Sequence, residues 1–353
     1  MTTAAREALD PGFLSRLPDS ADGYAQKIEL ARELVLCIAM DEAAYRTASF
    51  LDDRILGPAT RGAWFSLSRV LEASQFPRSP RPLRFIFHTG HVGSTLLSRL
   101  LDATGKVLPV REPLPLRTLA TAFDRLQSSS PPLSAEKFDV WLDLLLRLWS
   151  RGYPGTEQVV VKATSSAGSL AMPLLTRVPE ARAIYLNVRA ETYLATLLAG
   201  ANSSQDLLGH GPARIERLQA RTAAPIEPLS ALSPGELAAM SWLVETLSQR
   251  AAMMQLSKQV LAVDFDALLA DVPATLEAVL GHFDLAVEAA WFAGIEKSGV
   301  LGRYSKAPEL VFTPTVRREV LDAARYEHAV EIRKGLAWLE RMARSDTTLA
   351  AAF

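Results

Sequence analysis

The stretch "RFIFHTGHVGSTLLSRLL", Arg84–Leu101, decides the fold. Its apolar run Phe85–Phe87 reads as a buried strand. The chain then turns through Gly90 and Gly93 and leaves by Ser94 and Thr95 into a leucine-rich helix. A strand, a glycine turn and a helix N-terminus in that order outline a phosphate-binding loop. Glycines let the backbone curl and approach a ligand closely, and the amides from His91 to Leu96 then point into one concavity. Leu96, Leu97, Leu100 and Leu101 would anchor the helix against the sheet. A glycine turn can also join strand to helix and bind nothing. A nucleotide-hydrolysing loop carries lysine directly after its last glycine. Here Ser94 follows Gly93, which disfavours NTP hydrolysis and kinase chemistry.

Outward from this loop, five short runs read as strands: "LRFIFH", "KVLPV", "QVVVKA", "RAIYLNV" and "QVLAVDF". Helical stretches such as "TLLSRLLDAT", "FDVWLDLLLRLWS" and "AMPLLTRV" separate them. The alternation predicts an α/β fold, a parallel five-stranded sheet flanked by helices. Open parallel sheets bind ligands at the carboxyl ends of their strands. The first strand delivers His88–Thr95, the second Arg111 and Glu112, the third Lys162 and Thr164–Ser166, the fourth Arg189. Basic side chains, a glutamate, a histidine and several hydroxyls gathered at one edge point to an anion site. Each residue also has a plainer reading. Ser94 and Thr95 can cap the helix, His88 can be a satisfied core histidine, Glu112 can pair with Arg111, and Lys162 can be a solvated strand end.

Residues 1–80 read as a helical N-terminal extension, because "AQKIELARELVLCIAM" and "RGAWFSLSRVLEA" mix three- and four-residue apolar spacing. "FPRSPRP", Phe76–Pro82, reads as a linker into an α/β domain over 81–345. Within that domain 201–257 is an insertion expected to act as an acceptor lid. Its first part, 201–232, is rich in Ser, Gly, Pro and Ala and reads as loop, and "SPGE" at Ser233–Glu236 predicts a capping box for the next helix. Trp64 and Trp242 offer an apolar wall for an acceptor, or plain helix packing. Further helices are expected from Pro273 and after Pro314.

Of the 353 residues, 49% are hydrophobic and 22% charged, and the net charge is -1. That balance fits a globular chain and argues against a general nucleic-acid binder. The one cysteine, Cys37, excludes an internal disulfide and sits in an apolar run that predicts a buried, inert thiol. The expected compartment is the cytoplasm. "MTTAAREALDPGF" has no signal-peptide block, and no apolar stretch predicts a membrane span. His210, His282 and His328 show no metal-ligand spacing, so no metal is expected.

"GHVGSTLL" resembles the 5′-phosphosulfate loop of the sulfotransferase family, P-[KR]-x-G-[ST]-[ST]-x-L, in a bacterial-type setting. "VVVKATSS" resembles the family's strand ending in Lys-Thr, "EARAIYLNVRAETYLATLLA" its 3′-phosphate strand and helix, and "LAVDFDALLADVPATLEAVLGHFDL" its late signature. The resemblance covers roughly 84–200 and 258–310. It implies transfer of a sulfuryl group from 3′-phosphoadenosine 5′-phosphosulfate (PAPS) to a hydroxyl or amine of a small-molecule or peptide acceptor. It implies Gly90, His91, Val92, Gly93, Ser94, Thr95 and Leu96 at the 5′-phosphosulfate, and Arg189, Thr196, Arg303 and Lys306 at the 3′-phosphate. Glu112 is the candidate base, His91 the second candidate, and Lys162 a cation at the donor. The chain departs from the pattern at four places. His91 replaces the loop's Lys or Arg, Gly90 replaces its Pro, Thr164 stands where one branch has its histidine base, and Leu197 takes the usual serine position, with Thr196 beside it. The other readings are a non-catalytic nucleotide-binding module of the same fold and, behind it, a small-molecule kinase.

Overall fold

The computed structural model describes residues 9–10, 12–75, 79–200, 203–222, 224–295, 299–350 and 352–353. The fold is α/β, built on a five-stranded parallel sheet flanked by helices. Its strands are β4 (Leu83–His88), β5 (Val107–Arg111), β6 (Gln158–Lys162), β7 (Arg182–Asn187) and β8 (Val260–Asp264). They lie in the order β5-β6-β4-β7-β8. All five coincide with the apolar runs read from the sequence. β4, β5 and β6 are buried along their whole length, as strands covered on both faces must be. β4 and β5 each run parallel to β6, with Phe85 opposite Val161 and Arg111 opposite Lys162.

The chain divides into two compact units. One comprises Met1–Ile86 and Thr95–Ala183, the other Phe87–Ser94 and Ile184–Phe353.

The first unit departs from the helical reading of its N-terminal part. An antiparallel sheet forms there from β1 (Gly23–Glu29), β2 (Leu34–Ala39) and β3 (Gly62–Ser66). Only short helices, Phe13–Arg16, Glu42–Thr47 and Leu67–Ala73, accompany it. The stretch read as one long helix is a β-hairpin. β2 is buried on both faces at Val35–Ile38, so its apolar residues are continuous rather than alternating, and such a run looks the same in a buried helix. The turn between the strands carries Glu33 at φ 52°, without the Gly, Asn or Pro that would have announced it. Phe76–Arg78 of the expected linker lie outside the described residues, as do Met1–Ala8 and Pro11. Nearby, the Arg81 amide donates to the Ser150 carbonyl at 2.6 Å.

Two buried arginines tie this unit together. Arg151 donates to the carbonyls of Leu148, Leu17, Ser20 and Gly23 at 2.7–2.8 Å. Arg111 donates to Ser98 Oγ, to the carbonyls of Tyr45, Arg46 and Ala48, and to Asp102 at 2.8 Å. Burial lowers the pKa of both guanidinium groups, and in Arg111 the Asp102 carboxylate opposes that shift.

The second unit is organised by the helix Pro234–Gln255. It starts at the expected capping box: Ser233 Oγ accepts from the Glu236 amide and Glu236 Oε2 from the Ser233 amide. The segment read as loop also differs. Ser203–Gln219 is a helix with Pro212 inside it. Its buried positions include Ser203, Leu207, Gly211, Arg214, Arg217 and Leu218, a helical spacing filled largely by small and charged residues. Apolar periodicity could not show it. Helices over Val272–His282 and Pro314–Glu327 follow the sequence reading, and a hairpin of β9 (Arg303–Tyr304) and β10 (Ala307–Val311) lies between them.

Candidate functional site

The glycine loop belongs to the second unit from Phe87 to Ser94. Gly90 has φ 103° and Gly93 φ 70°. A side chain at 93 is excluded for a further reason: a Cβ there would lie 2.0 Å from the Phe265 ring. His91, on the exposed crest, holds φ 52°, a left-handed conformation uncommon outside glycine. His88 is a core histidine whose Nδ1 accepts from the Gly90 amide at 3.1 Å. Val92 and Leu96 are buried. The helix Ser94–Asp102 begins directly after Gly93, so the amides of its first turn have no carbonyl within the helix. Thr95 is 1% exposed, and its hydroxyl has no hydrogen-bond partner among the described residues. A buried hydroxyl left open at the start of a helix fits a polar ligand.

Arg189 occupies the N-cap position of the helix Ala190–Leu198, where β7 ends. It lines a cavity of about 300 Å³, also within the second unit. The other charged lining residues are Asp266 and three arginines of the helix Pro314–Glu327: Arg317, Arg318 and Arg325. Arg317 pairs with Asp266 at 2.7 Å, and its guanidinium lies 4.9 Å from the centre of the Phe265 ring. Arg325 pairs with Glu191 at 3.4 Å and Asp322 at 2.9 Å. Arg189 and Arg318 have no ion pair among the described residues. Two of the four guanidinium groups are paired with carboxylates, and Arg189 and Arg318 add the positive charge that suits the cavity to an anion such as a phosphate monoester. Phe265 connects its two neighbourhoods, with one part of the ring against Gly93 and the guanidinium of Arg317 over it.

The sequence marks Pro314–Glu327 only as a charged C-terminal helix. Arg318 and Arg325 are seven residues apart, two turns, so they share a face with Leu321 between them. That stripe was the available signal. Of the other residues expected at this position, Thr196 donates its hydroxyl to the Thr192 carbonyl at 2.7 Å, and it is Thr192 that lines the cavity. Arg303 and Lys306 lie in the β9–β10 hairpin and are not among the lining residues.

In the first unit the structure brings Glu112 and Lys162 together. They follow and end the adjacent strands β5 and β6, and Lys162 Nζ donates to Glu112 Oε1. Lys162 is completely buried and Glu112 is 16% exposed. The Glu112 amide donates to the Lys162 carbonyl at 2.7 Å, and Glu112 holds φ 51°. Glu112 therefore pairs with Lys162, while Arg111 is committed to Asp102 and the carbonyls around Tyr45. Lys162 is not the solvated strand end of the plainer reading. Thr164 and Ser166 bond to each other at 3.0 Å. Trp242 is buried and donates its indole N–H to the Val188 carbonyl at 2.9 Å, whereas Trp64 is 44% exposed. No cluster of metal-ligating side chains occurs among the described residues, and no described helix is long and apolar enough to cross a membrane.

The fold is thus α/β, with a glycine loop after β4 and an arginine-lined cavity in the same unit. No family model and no curated protein matches the chain. Solved structures similar to it include sulfotransferases. The sulfotransferase domain of the Synechococcus PCC 7002 olefin synthase is 14% identical with a TM-score of 0.41, over 74% of this chain and 95% of that one. The mouse sulfotransferase SULT7A1 complexed with PAP is 12% identical with a TM-score of 0.41, over 77% and 88%. The sulfotransferase from Alicyclobacillus acidocaldarius is 14% identical with a TM-score of 0.40, over 75% and 97%. Likeness of this size says nothing about activity, and the functional reading rests on this chain's own residues.

Proposed function

We propose that the chain is a sulfotransferase that uses PAPS as donor and a hydroxyl or amine as acceptor. The observation that carries this reading is the arginine-lined cavity at Arg189, in the same unit as a phosphate loop that lacks lysine. PAPS carries anions at both its 5′ and 3′ ends and needs two cationic or amide-rich positions. A nucleoside triphosphate has a single phosphate chain, for which the loop lysine is the usual counter-charge. In this reading Gly90–Leu96 hold the 5′-phosphosulfate, with Ser94 and Thr95 supplying hydroxyls. Arg189 holds the 3′-phosphate with Arg317, Arg318 and Arg325. Thr196, Arg303 and Lys306 are secondary.

The reaction forms a bond from the acceptor oxygen or nitrogen to sulfur and breaks the bond from sulfur to the bridging oxygen of the 5′-phosphate, releasing PAP. Sulfuryl transfer depends on positioning and on stabilising the charge that moves to the leaving group. Glu112 takes the acceptor's proton. Lys162, held against it, balances charge at the transferred group. His91 supplies a hydrogen bond or, when protonated, a charge to the bridging oxygen. The departures at His91, Thr164 and Leu197 are what favour the non-catalytic alternative.

The test has two parts. Titration calorimetry with PAP and with ATP should show PAP binding more tightly, and a preference for ATP would sink the reading. Turnover of labelled PAPS over a panel of phenols, sugars, amines and peptides should give a labelled product. PAP binding without any transfer would favour the module.

A further inference from the structure

Asn187, the last residue of β7, is engaged on every side. Its Oδ1 accepts from the Thr89 hydroxyl at 3.2 Å and from the Val188 amide at 2.7 Å. Its Nδ2 donates to Gln249 Oε1 at 2.8 Å. Each partner leads to a different part of the unit. Thr89 opens the glycine loop, and its amide donates to the Leu186 carbonyl at 3.2 Å. Val188 precedes Arg189, and its carbonyl accepts from Trp242. Gln249 belongs to the helix Pro234–Gln255 and donates back to the Tyr185 carbonyl at 3.4 Å. Thr89 and Gln249 are buried. Water is a poor substitute partner there, and a lost hydrogen bond leaves a stranded polar group.

We propose that Asn187 is a positioning residue that fixes the glycine loop and the Arg189 turn relative to each other and to the helix behind them. One carboxamide oxygen joins the first residue of the loop to the residue before Arg189, and the amide nitrogen anchors both to Gln249. The two anion positions are thereby set before any ligand arrives, which lowers the ordering cost of binding. This deepens the donor-binding reading above and rests on it for one of two readouts.

The first readout needs no ligand. In the ligand-free protein, Asn187→Leu should speed amide hydrogen exchange of the peptide spanning 88–95 by about tenfold or more. The second readout is calorimetry, in which Asn187→Leu should cut the affinity advantage of PAP over AMP about tenfold, because the loop and Arg189 no longer engage one ligand together. A folded Asn187→Leu protein with unchanged exchange in 88–95 overturns the proposal, even if its melting temperature falls, since that is the signature of a merely structural residue. If Asn187→Leu does not fold, Thr89→Val removes the loop side of the link and should show the same local acceleration. Failure of the parent protein to bind PAP would remove the donor reading and leave the exchange result to decide Asn187.

Discussion

Glu112 is asked to be both a base and the partner of a buried lysine, and these demands pull against each other. Lys162 has no solvent contact, so a neutral residue at 112 leaves its charge buried without a counter-ion. Breaking such a pair costs about 3–5 kcal/mol, whereas replacing both members by uncharged groups is often close to neutral. Glu112→Gln should therefore lose transfer and also lose stability. The double variant Glu112→Gln/Lys162→Met separates the two effects. It should regain most of the melting temperature and still turn over no labelled PAPS, because the base is absent. If stability and activity return together, Glu112 is structural and the base lies elsewhere. Glu112 and His91 both hold left-handed backbone, as do Glu33 in the β1–β2 turn and Asp284, so the conformation alone does not mark a functional position.

The helix Pro314–Glu327 and the five sheet strands show what was legible at the level of elements. β4, β5 and β6 are legible because burial on both faces leaves a short, β-rich apolar run bounded by turn residues, and reading past the ends of such runs points to Lys162 and Arg189. The rule misread β2 for the same reason, since a doubly buried strand has no alternation to separate it from a buried helix. The helix Ser203–Gln219 was hidden because its inner face carries Ser203, Gly211 and Arg214. The arginine stripe was visible but had no meaning until the fold placed it around one cavity with Arg189. Its contribution can be measured by ligand choice. Arg318→Gln together with Arg317→Gln should weaken PAP by more than about a hundredfold, each lost charge-assisted contact being worth about 1.5–3 kcal/mol, with much less effect on AMP, which lacks the 3′-phosphate. Equal weakening of both nucleotides would place these arginines elsewhere on the ligand. An unchanged PAP affinity would take them out of the site.

Both units bury phenols and one buries the thiol, which gives the whole molecule a shared weakness at high pH. Burial pushes the Cys37 thiol up to about 12, with Arg151 opposing the shift, and Cys37 is 1% exposed in β2. Tyr24 and Tyr45 in the same unit are raised by burial, and in the other unit Tyr185 is raised likewise and Tyr193 is pushed up to about 12. In all of them desolvation penalises the charged form. The folded pKa lies above the unfolded one, so the folded chain stays protonated where the unfolded chain has released its protons. The stability these groups contribute is complete below about pH 8.5, the ordinary thiol range, and is lost as pH rises through the thiol and phenol range toward the folded values. Each group fully titrated in the unfolded state but not in the folded state removes about 1.4 kcal/mol per pH unit. With five such groups, the urea midpoint should be flat from pH 7 to about 8.5 and fall steeply beyond about pH 10. Tyrosinate absorbance from the buried phenols should then appear together with the loss of secondary structure, because these phenols ionise only when the chain opens. Cys37 gives an independent reading of the first unit. At pH 8 its thiolate fraction in the folded state should be roughly a thousandfold below that of a free thiol, so a thiol reagent should label it only as fast as that unit opens. Rapid labelling of the folded protein, or tyrosinate signal from all phenols near pH 10 with secondary structure intact, would contradict the burial from which the argument starts.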